Sequence, residues 1–361
     1  MKKFTAAMTI LALTAFFTGC KKEEDHAHHA KNIFTMSNQA AGNSILVFEN
    51  RADGSLQLTD SFATGGTGTG SALGSQGALT LSRQGNWLFA VNAGSNEVSA
   101  FKVKEHQLQL TGKVSSGGNM PVSVTSYRDW VYVLNSGDAT IAGFTISSGG
   151  TLTPIANSIR QLSGKLIAPA EISFSDDGTS LIITEKSANK IVSYQVSCDG
   201  TPGTYHEFNS ASPTRFGFAV GRQGYVFVSE AVQSNLSVYQ VTNTAIHLAS
   251  GPVTDNQKAA CWVVLTKNGQ YAYVANASSN TISGYRVNSS YGVELLNSDG
   301  VTATTGNGPI DEALNSNSKF LYVLNSGSHT IRSFEIHSDG SLQYGADTGV
   351  LPTGTAGLAA D

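Results

Sequence analysis

The sequence predicts an all-β fold: a seven-bladed β-propeller of four-stranded antiparallel blades, its ring closed by a C-terminal strand that completes the first blade. Three observations lead there. Charged residues make up only 13% of the 361 residues, with 38 glycines and many Ser, Thr and Asn in their place, a composition suited to short strands and tight turns. One strand-loop-strand pattern recurs seven times. The first copy lacks an innermost strand before it, while the chain ends on a segment that resembles an innermost strand with nothing after it.

The N-terminus reads as targeting sequence. Lys2 and Lys3 precede an apolar run, Phe4 to Phe17, too short to stay as a membrane span. Phe17-Thr18-Gly19-Cys20 resembles the lipobox of bacterial lipoproteins. Residues 1–19 are then a signal peptide, Cys20 is the acylated first residue of the mature chain, and 20–31 form a lipidated flexible tether. The alternative is an ordinary signal peptide with a chance cysteine. Several acyl chains would anchor the protein stably, whereas one binds marginally. Lys21-Lys22-Glu23-Glu24-Asp25 is similar to the export signal that some Gram-negative bacteria place on surface lipoproteins. It implies an outer-membrane, surface-exposed address, with the periplasmic face as alternative; a plain solvated tether fits the same residues. His26, His28 and His29 are close enough to chelate a metal but lack a fixed scaffold.

The propeller is expected over 32–361. Its clearest copies read Leu88-Phe89-Ala90-Val91-Asn92 through Phe101, Tyr132-Val133-Leu134-Asn135 through Phe144, Tyr273-Val274-Ala275-Asn276 through Tyr285, and Tyr322-Val323-Leu324-Asn325 through Phe334. All seven copies align on a polar column, Asn38, Asn92, Asn135, Glu185, Glu230, Asn276 and Asn325. An aromatic column follows: Phe48, Phe101, Phe144, Tyr194, Tyr239, Tyr285 and Phe334, nine residues on in six copies and ten in the first. The repeat length of 43 to 54 residues is that of a four-stranded blade. Asp53-Gly54, Asp199-Gly200 and Asp339-Gly340 mark hairpin turns. One blade cannot bury both faces of its sheet, but a closed ring can, and closure protects the strand edges. The tail 355–361 supplies the missing strand of the first blade.

Within this frame, the Asn column is expected to cap the loop after each second strand, and Glu185 and Glu230 break the column. Trp87 and Trp130 begin second strands and read as packing between blades. Trp262 lies beside Cys261 near the predicted channel mouth, where it either packs the core or stacks on a flat ligand. Cys198 and Cys261 fall at opposite radial ends of the repeat and are expected as free thiols, although export would permit a disulfide. Gly65-Gly66-Thr67-Gly68-Thr69-Gly70 precedes a strand and not a helix, so it reads as a flexible inter-blade loop rather than a phosphate cradle. No metal-ligand set or catalytic triad is identified among His106, His206, His247, His329 and His337. The net charge of −4 and the lack of a basic patch argue against nucleic acid, and a monomer is expected.

The copies resemble the Tyr-Val-Thr-Asn type of propeller repeat, and more specifically the lactonase-like propellers, the family of bacterial 6-phosphogluconolactonase and fungal carboxymuconate lactonising enzyme. The resemblance runs from about Asn32 to Asp361. It implies a site at one mouth of the central channel, with a His and Arg residues at the starts of innermost strands and a Glu at the end of a second strand. Strand start and strand end share a face in an antiparallel sheet, so a lactone carbonyl would meet cationic donors and a general base there. Carried over position by position, the His site is Ala170, the two Arg sites are Thr214 and Ile310, and only the Glu is kept, as Glu230.

Polar groups stand one position further along. Glu171, Arg215, Asp311 and Glu312 begin innermost strands, and with Glu185, Glu230 and Trp262 they form the candidate pocket. Arg215 would grip an anionic or hydroxyl-rich ligand, the carboxylates would accept its hydroxyls, and a carboxylate cluster also suits Ca²⁺. The competing reading pairs Arg215 locally with Glu230 or Glu171 and leaves the rest solvated. Three functions stay open: a binding propeller for a small molecule, carbohydrate or protein, anchored to a membrane by its lipid; a lactonase with a rearranged site in which Glu230 and Arg215 are catalytic; and an envelope scaffold.

Overall fold

The computed structural model describes residue 1 and residues 31–51, 55–104, 107–209 and 213–361. The segment expected to be a signal peptide, Cys20, the charged and histidine-rich stretch after it, the expected Asp53-Gly54 turn and His106 lie outside the described residues. Among the described residues no helix is long and apolar enough to cross a membrane.

Seven antiparallel sheets follow one another around a ring. Each runs from an innermost strand at the channel to an outermost strand at the rim. The innermost strands of blades two to seven are Leu79–Leu81, Pro121–Tyr127, Pro169–Phe174, Arg215–Val220, Ala260–Leu265 and Pro309–Leu314. That of the first blade is Ala356–Ala360 from the C-terminus, paired antiparallel with Lys31–Met36. This is the closure that the incomplete first copy demanded. Thr35 Oγ1 donates to the Gly357 carbonyl at 2.6 Å, and the Asn32 amide donates to Asp361 Oδ1 at 2.8 Å, tying the two ends together.

In blades three and six the outermost strand is split in two, Leu152–Pro154 with Arg160–Gln161 and Val293–Leu295 with Ala303–Thr304. The break follows a glycine in the third strand. Ser158 Oγ bonds the backbone of Gly143 from both sides, and Thr302 Oγ1 accepts from the Gly284 amide at 2.8 Å. A Cβ at Gly143 would lie 2.5 Å from the Tyr132 ring, so the bare backbone is what admits both neighbours.

The core lies between blades. No member of the aromatic column is more than 3% exposed, and second strands such as Trp130–Asn135 bury five consecutive residues, as sheets covered on both faces do. Tyrosines of second strands then reach the next blade. Tyr132 Oη donates to the Gly200 carbonyl at 2.6 Å and Tyr273 Oη to the Gly340 carbonyl at 2.9 Å, so each holds the Asp-Gly turn of its neighbour.

The polar column is wholly buried, and its bonds run further than the loop after the second strand. Asn92 accepts from Thr64 Oγ1 at 2.6 Å and donates to Ser99 Oγ at 2.8 Å. Asn325 accepts from Thr305 Oγ1 at 2.8 Å, and Asn276 donates to Ser283 Oγ at 2.8 Å. The column thus ties the segment entering each blade, or the third strand, to the second strand. The glycine-rich stretch expected to be flexible is packed onto it. A Cβ on Gly66 would fall 2.5 Å from Asn92 Cγ, and one on Gly68 would fall 2.2 Å from the Asn38 carbonyl carbon. These glycines are there for close approach, not mobility. Cys198 is exposed and Cys261 buried, both as free thiols.

Candidate functional site

The channel has two ends. At the entry mouth the innermost strands begin and the polar column ends; at the far mouth the innermost strands finish. The innermost strands turn an unpaired edge of N–H and C=O groups towards the channel, and such an edge needs partners.

At the entry mouth the partners come from one segment, residues 73–77, which precedes the short innermost strand of the second blade. Ser75 Oγ donates to the Val122 carbonyl at 2.7 Å, and the Val124 amide donates to the Gly77 carbonyl at 2.8 Å, both on blade three. The Gln76 amide donates to the Ala170 carbonyl of blade four at 3.1 Å. The Gln76 side chain then crosses to blade six, where its Nε2 donates to the Val263 carbonyl at 2.8 Å and its Oε1 accepts from the Val263 amide at 3.1 Å. A primary amide presents the donor and acceptor of a peptide group, so Gln76 pairs with the edge as a strand would. Gly217 makes room, since a Cβ there would lie 2.0 Å from Gln76 Oε1.

Two residues near this mouth clasp the segment. Trp262 Nε1 donates to the Ser75 carbonyl at 3.2 Å, and Lys186 Nζ to the Gly74 carbonyl at 2.5 Å. The Lys186 ammonium sits 4.5 Å from the centre of the Phe216 ring, and Phe216 packs on Trp262 at 4.9 Å. Burial lowers the Lys186 pKa, and burial pushes the Cys261 thiol up to about 12, with Lys186 opposing. Trp262 is buried, clamped between this segment and Phe216.

The structure separates the expected pocket residues into two groups. Glu171, Asp311 and Glu312 line one cavity of about 270 Å³ in the channel, together with Gln76, Leu79, Leu81, Val124, Leu314 and Leu358. Glu185 and Glu230 are buried inside their own blades as members of the polar column. Glu185 accepts from the Ser163 amide at 3.1 Å and from the Ser163 hydroxyl. Glu230 accepts from Ser237 Oγ at 3.0 Å and from Tyr239 Oη at 2.8 Å. Arg215 pairs in register with Glu230 at the start of its strand, and its side chain lies outside the described atoms.

Burial raises the Glu171, Asp311 and Glu312 carboxyls well above the usual range. Desolvation leads in each case. Asp311 adds to the rise at both glutamates, while the Phe218 amide opposes it at Glu171 and the Glu312 and Leu358 amides oppose it at Asp311. Burial also raises Glu185, against its two bonds from Ser163. Among the described residues no three His, Cys, Asp or Glu side chains come together as a metal-binding group.

Sequence reasoning missed Gln76 and Lys186. Its one available signal was length: residues 71–78 are more chain than a turn into Leu79 requires.

Comparison with known proteins adds the following. The family described as Lactonase, 7-bladed beta-propeller, matches residues 25–167 and 242–355. No curated protein matches the chain. Among solved structures, a Lactobacillus plantarum protein superposes with a TM-score of 0.75 at 18% identity, covering 92% of this chain and 99% of its own. The periplasmic gluconolactonase of Pseudomonas aeruginosa gives 0.69 at 15% identity over 90% of this chain and 98% of its own. Virginiamycin B lyase of Staphylococcus aureus, in a catalytically inactive form with quinupristin, gives 0.54 at 14% identity over 74% and 83%. Identities this low speak for the fold alone.

Proposed function

The chain belongs to the seven-bladed β-propeller lactonase family, and from that premise we propose that it works as a lipid-anchored binding propeller of the bacterial cell envelope, without lactone hydrolysis at its entry mouth. The observation that carries this reading is the segment 73–77, hydrogen-bonded to blades three, four and six across the mouth. A hydrolase needs a base that reaches the substrate and donors at the developing oxyanion. Here Glu230 is buried and accepts from Ser237 and Tyr239, while Ala170, Thr214 and Ile310 stand where the family resemblance expects His and two Arg.

The anchor fits the same reading. Lys31 opens the second strand of blade one at the end that pairs towards Ala360 and Asp361, which is the far mouth. Replacement of Cys20 by Ala should then release the protein from the membrane fraction.

The competing reading is lactonase activity built on Glu230 and Arg215, which the family and the paired register of those two residues favour. Detergent-solubilised full-length protein, assayed on a panel of sugar and aromatic lactones beside Glu230→Gln and Arg215→Ala, separates the two. Silence across the panel is the expected result. Hydrolysis that disappears in either variant would overturn the binding reading.

A further inference from the structure

We propose that the channel cavity beneath the segment 73–77 binds a small primary ammonium compound with a short apolar body. The inference deepens the binding reading and rests on it.

Three carboxyl oxygens at this cavity stand without partners among the described residues. Glu312 Oε1 and Oε2 and Asp311 Oδ2 are buried and have no hydrogen-bond partner among the described residues. Both residues line the cavity, and neither is more than 3% exposed. Buried carboxyl oxygens are normally paired, because an unmatched polar atom is costly away from water. Among the described residues no Lys or Arg lines this cavity, and none of them supplies the missing charge. An alkylammonium carries three N–H donors on one positive centre, which matches three unpaired acceptors on two neighbouring carboxyls. Glu171 is committed differently, since its Oε2 accepts from the Phe218 amide at 2.6 Å.

The rest of the cavity selects the body of the ligand. Leu79, Leu81, Val124, Leu314 and Leu358 supply the apolar part of a wall that also carries Thr80, Thr125 and Ser173. Its volume of about 270 Å³ is several times the ~30 Å³ share of one water molecule, room for a short alkyl chain and little more. Leu81, Leu314 and Ala360 lie at the finishing ends of their strands and remain partly exposed, so entry is from the far mouth, away from the segment 73–77. A bare metal ion fits less well. Ca²⁺ takes six to eight oxygen ligands, whereas among the described residues no three acidic, His or Cys side chains form a ligand group. Binding a cation favours the ionised carboxyls over the protonated ones that burial otherwise favours. Uptake is therefore linked to proton release and strengthens as pH rises.

The test is isothermal titration of the full-length protein in detergent with n-butylammonium, tetramethylammonium, n-butanol and Ca²⁺ at pH 6 and pH 8. The expected result is saturable one-to-one binding of n-butylammonium, tighter at pH 8, with an enthalpy that depends on the buffer's protonation heat. Tetramethylammonium has the charge without N–H donors and n-butanol has the body without the charge, so each should bind at least tenfold more weakly. Glu312→Gln and Asp311→Asn, each checked for an intact thermal transition, should weaken n-butylammonium at least tenfold. Leu314→Trp should block it by filling the cavity. No saturable binding, equal binding by Glu312→Gln, or binding of Ca²⁺ alone would each overturn the proposal. A failed titration beside a silent lactone panel removes the ammonium site and leaves the binding reading; lactone hydrolysis removes the latter.

Discussion

Replacing Gln76 with Ala deletes both hydrogen bonds to Val263 and leaves a buried N–H and C=O facing the channel. Each unsatisfied group costs about 1–3 kcal/mol, and partial wetting of the opened space keeps the total near 2–4 kcal/mol. At about 2.1 cal/mol/K per residue over roughly 330 folded residues, 1 kcal/mol corresponds to about 1.4 °C. The expected fall in melting temperature is thus about 3–6 °C. Gln76→Met keeps most of the volume and loses both bonds, so it should fall by a similar amount; a mild effect in Met with a large one in Ala would mean that packing, not pairing, holds the segment. The site can also be watched directly. Cys261 is a buried free thiol beside Trp262, which clasps the same segment. In a Cys198→Ser background, maleimide labelling of Cys261 should accelerate when Gln76 is lost. A melting temperature within 1 °C of wild type together with unchanged labelling would refute the claim that this segment closes the entry mouth.

Deleting residues 355–361 should collapse the cooperative transition. It removes the innermost strand of blade one and exposes the cluster that Leu358 shares with Ile33, Phe48 and Tyr322. Leu358→Ala alone should cost about 2–5 kcal/mol; a melt unchanged by either would count against closure. For the channel carboxyls the sign runs opposite to a salt-bridged acid. Their folded pKa values lie above the unfolded ones. Between the two values the native state holds a proton that the unfolded chain has released, so stability falls as pH rises, by up to about 1.4 kcal/mol per pH unit for each group. Glu312→Gln should therefore match wild type near pH 4 and exceed it at pH 8; a variant less stable than wild type at pH 8 would show that the ionised carboxylate is a stabilising group. Finally, Glu230→Ala strips the acceptor from buried Ser237 and Tyr239 and should lower the melting temperature, whereas Glu230→Gln keeps one acceptor and should lower it less. Equal losses would show that the charge, not the hydrogen bonding, matters.

The ring was legible because every copy solves the same problem with the same residues. A polar side chain must tie the entering segment to the second strand, and an aromatic must fill the gap between blades. Seven solutions at near-constant spacing leave one architecture. Glu185 and Glu230 looked like departures with a chemical purpose, yet they do what the Asn residues do. Ser163, Ser237 and Tyr239 supply donors to a carboxylate where other blades pair an amide. The glycine-rich stretch misled for a related reason: glycine serves loose chain and tight approach alike, and only Asn92 beneath Gly66 and Asn38 beneath Gly68 decide between them. Gln76 was beyond reach because its partner lies 187 residues away across the channel.

The hardest feature to read was which residues of the innermost strands enter the channel, and the reason is a repeated bulge. In blades three, four, six and seven the register slips near the strand start: Pro121/Ser123, Pro169/Glu171, Ala260/Trp262 and Pro309/Asp311 each pair with consecutive residues opposite. The skipped residues are Val122, Ala170, Cys261 and Ile310. Alternation along a regular strand would send neighbouring side chains to opposite faces, but a bulge re-aims them. Ala170 and Ile310, the very positions where relatives are expected to carry His and Arg, are the skipped residues, and Glu171 and Asp311 are the first to pair beyond them. The same bulge therefore offers two adjacent positions for chemistry. This chain has small or apolar residues at the skipped position in those two blades and places its acids deeper, under the span of Gln76. A change of ligand in such a ring needs no change of fold, only a shift of one residue along a bulged strand.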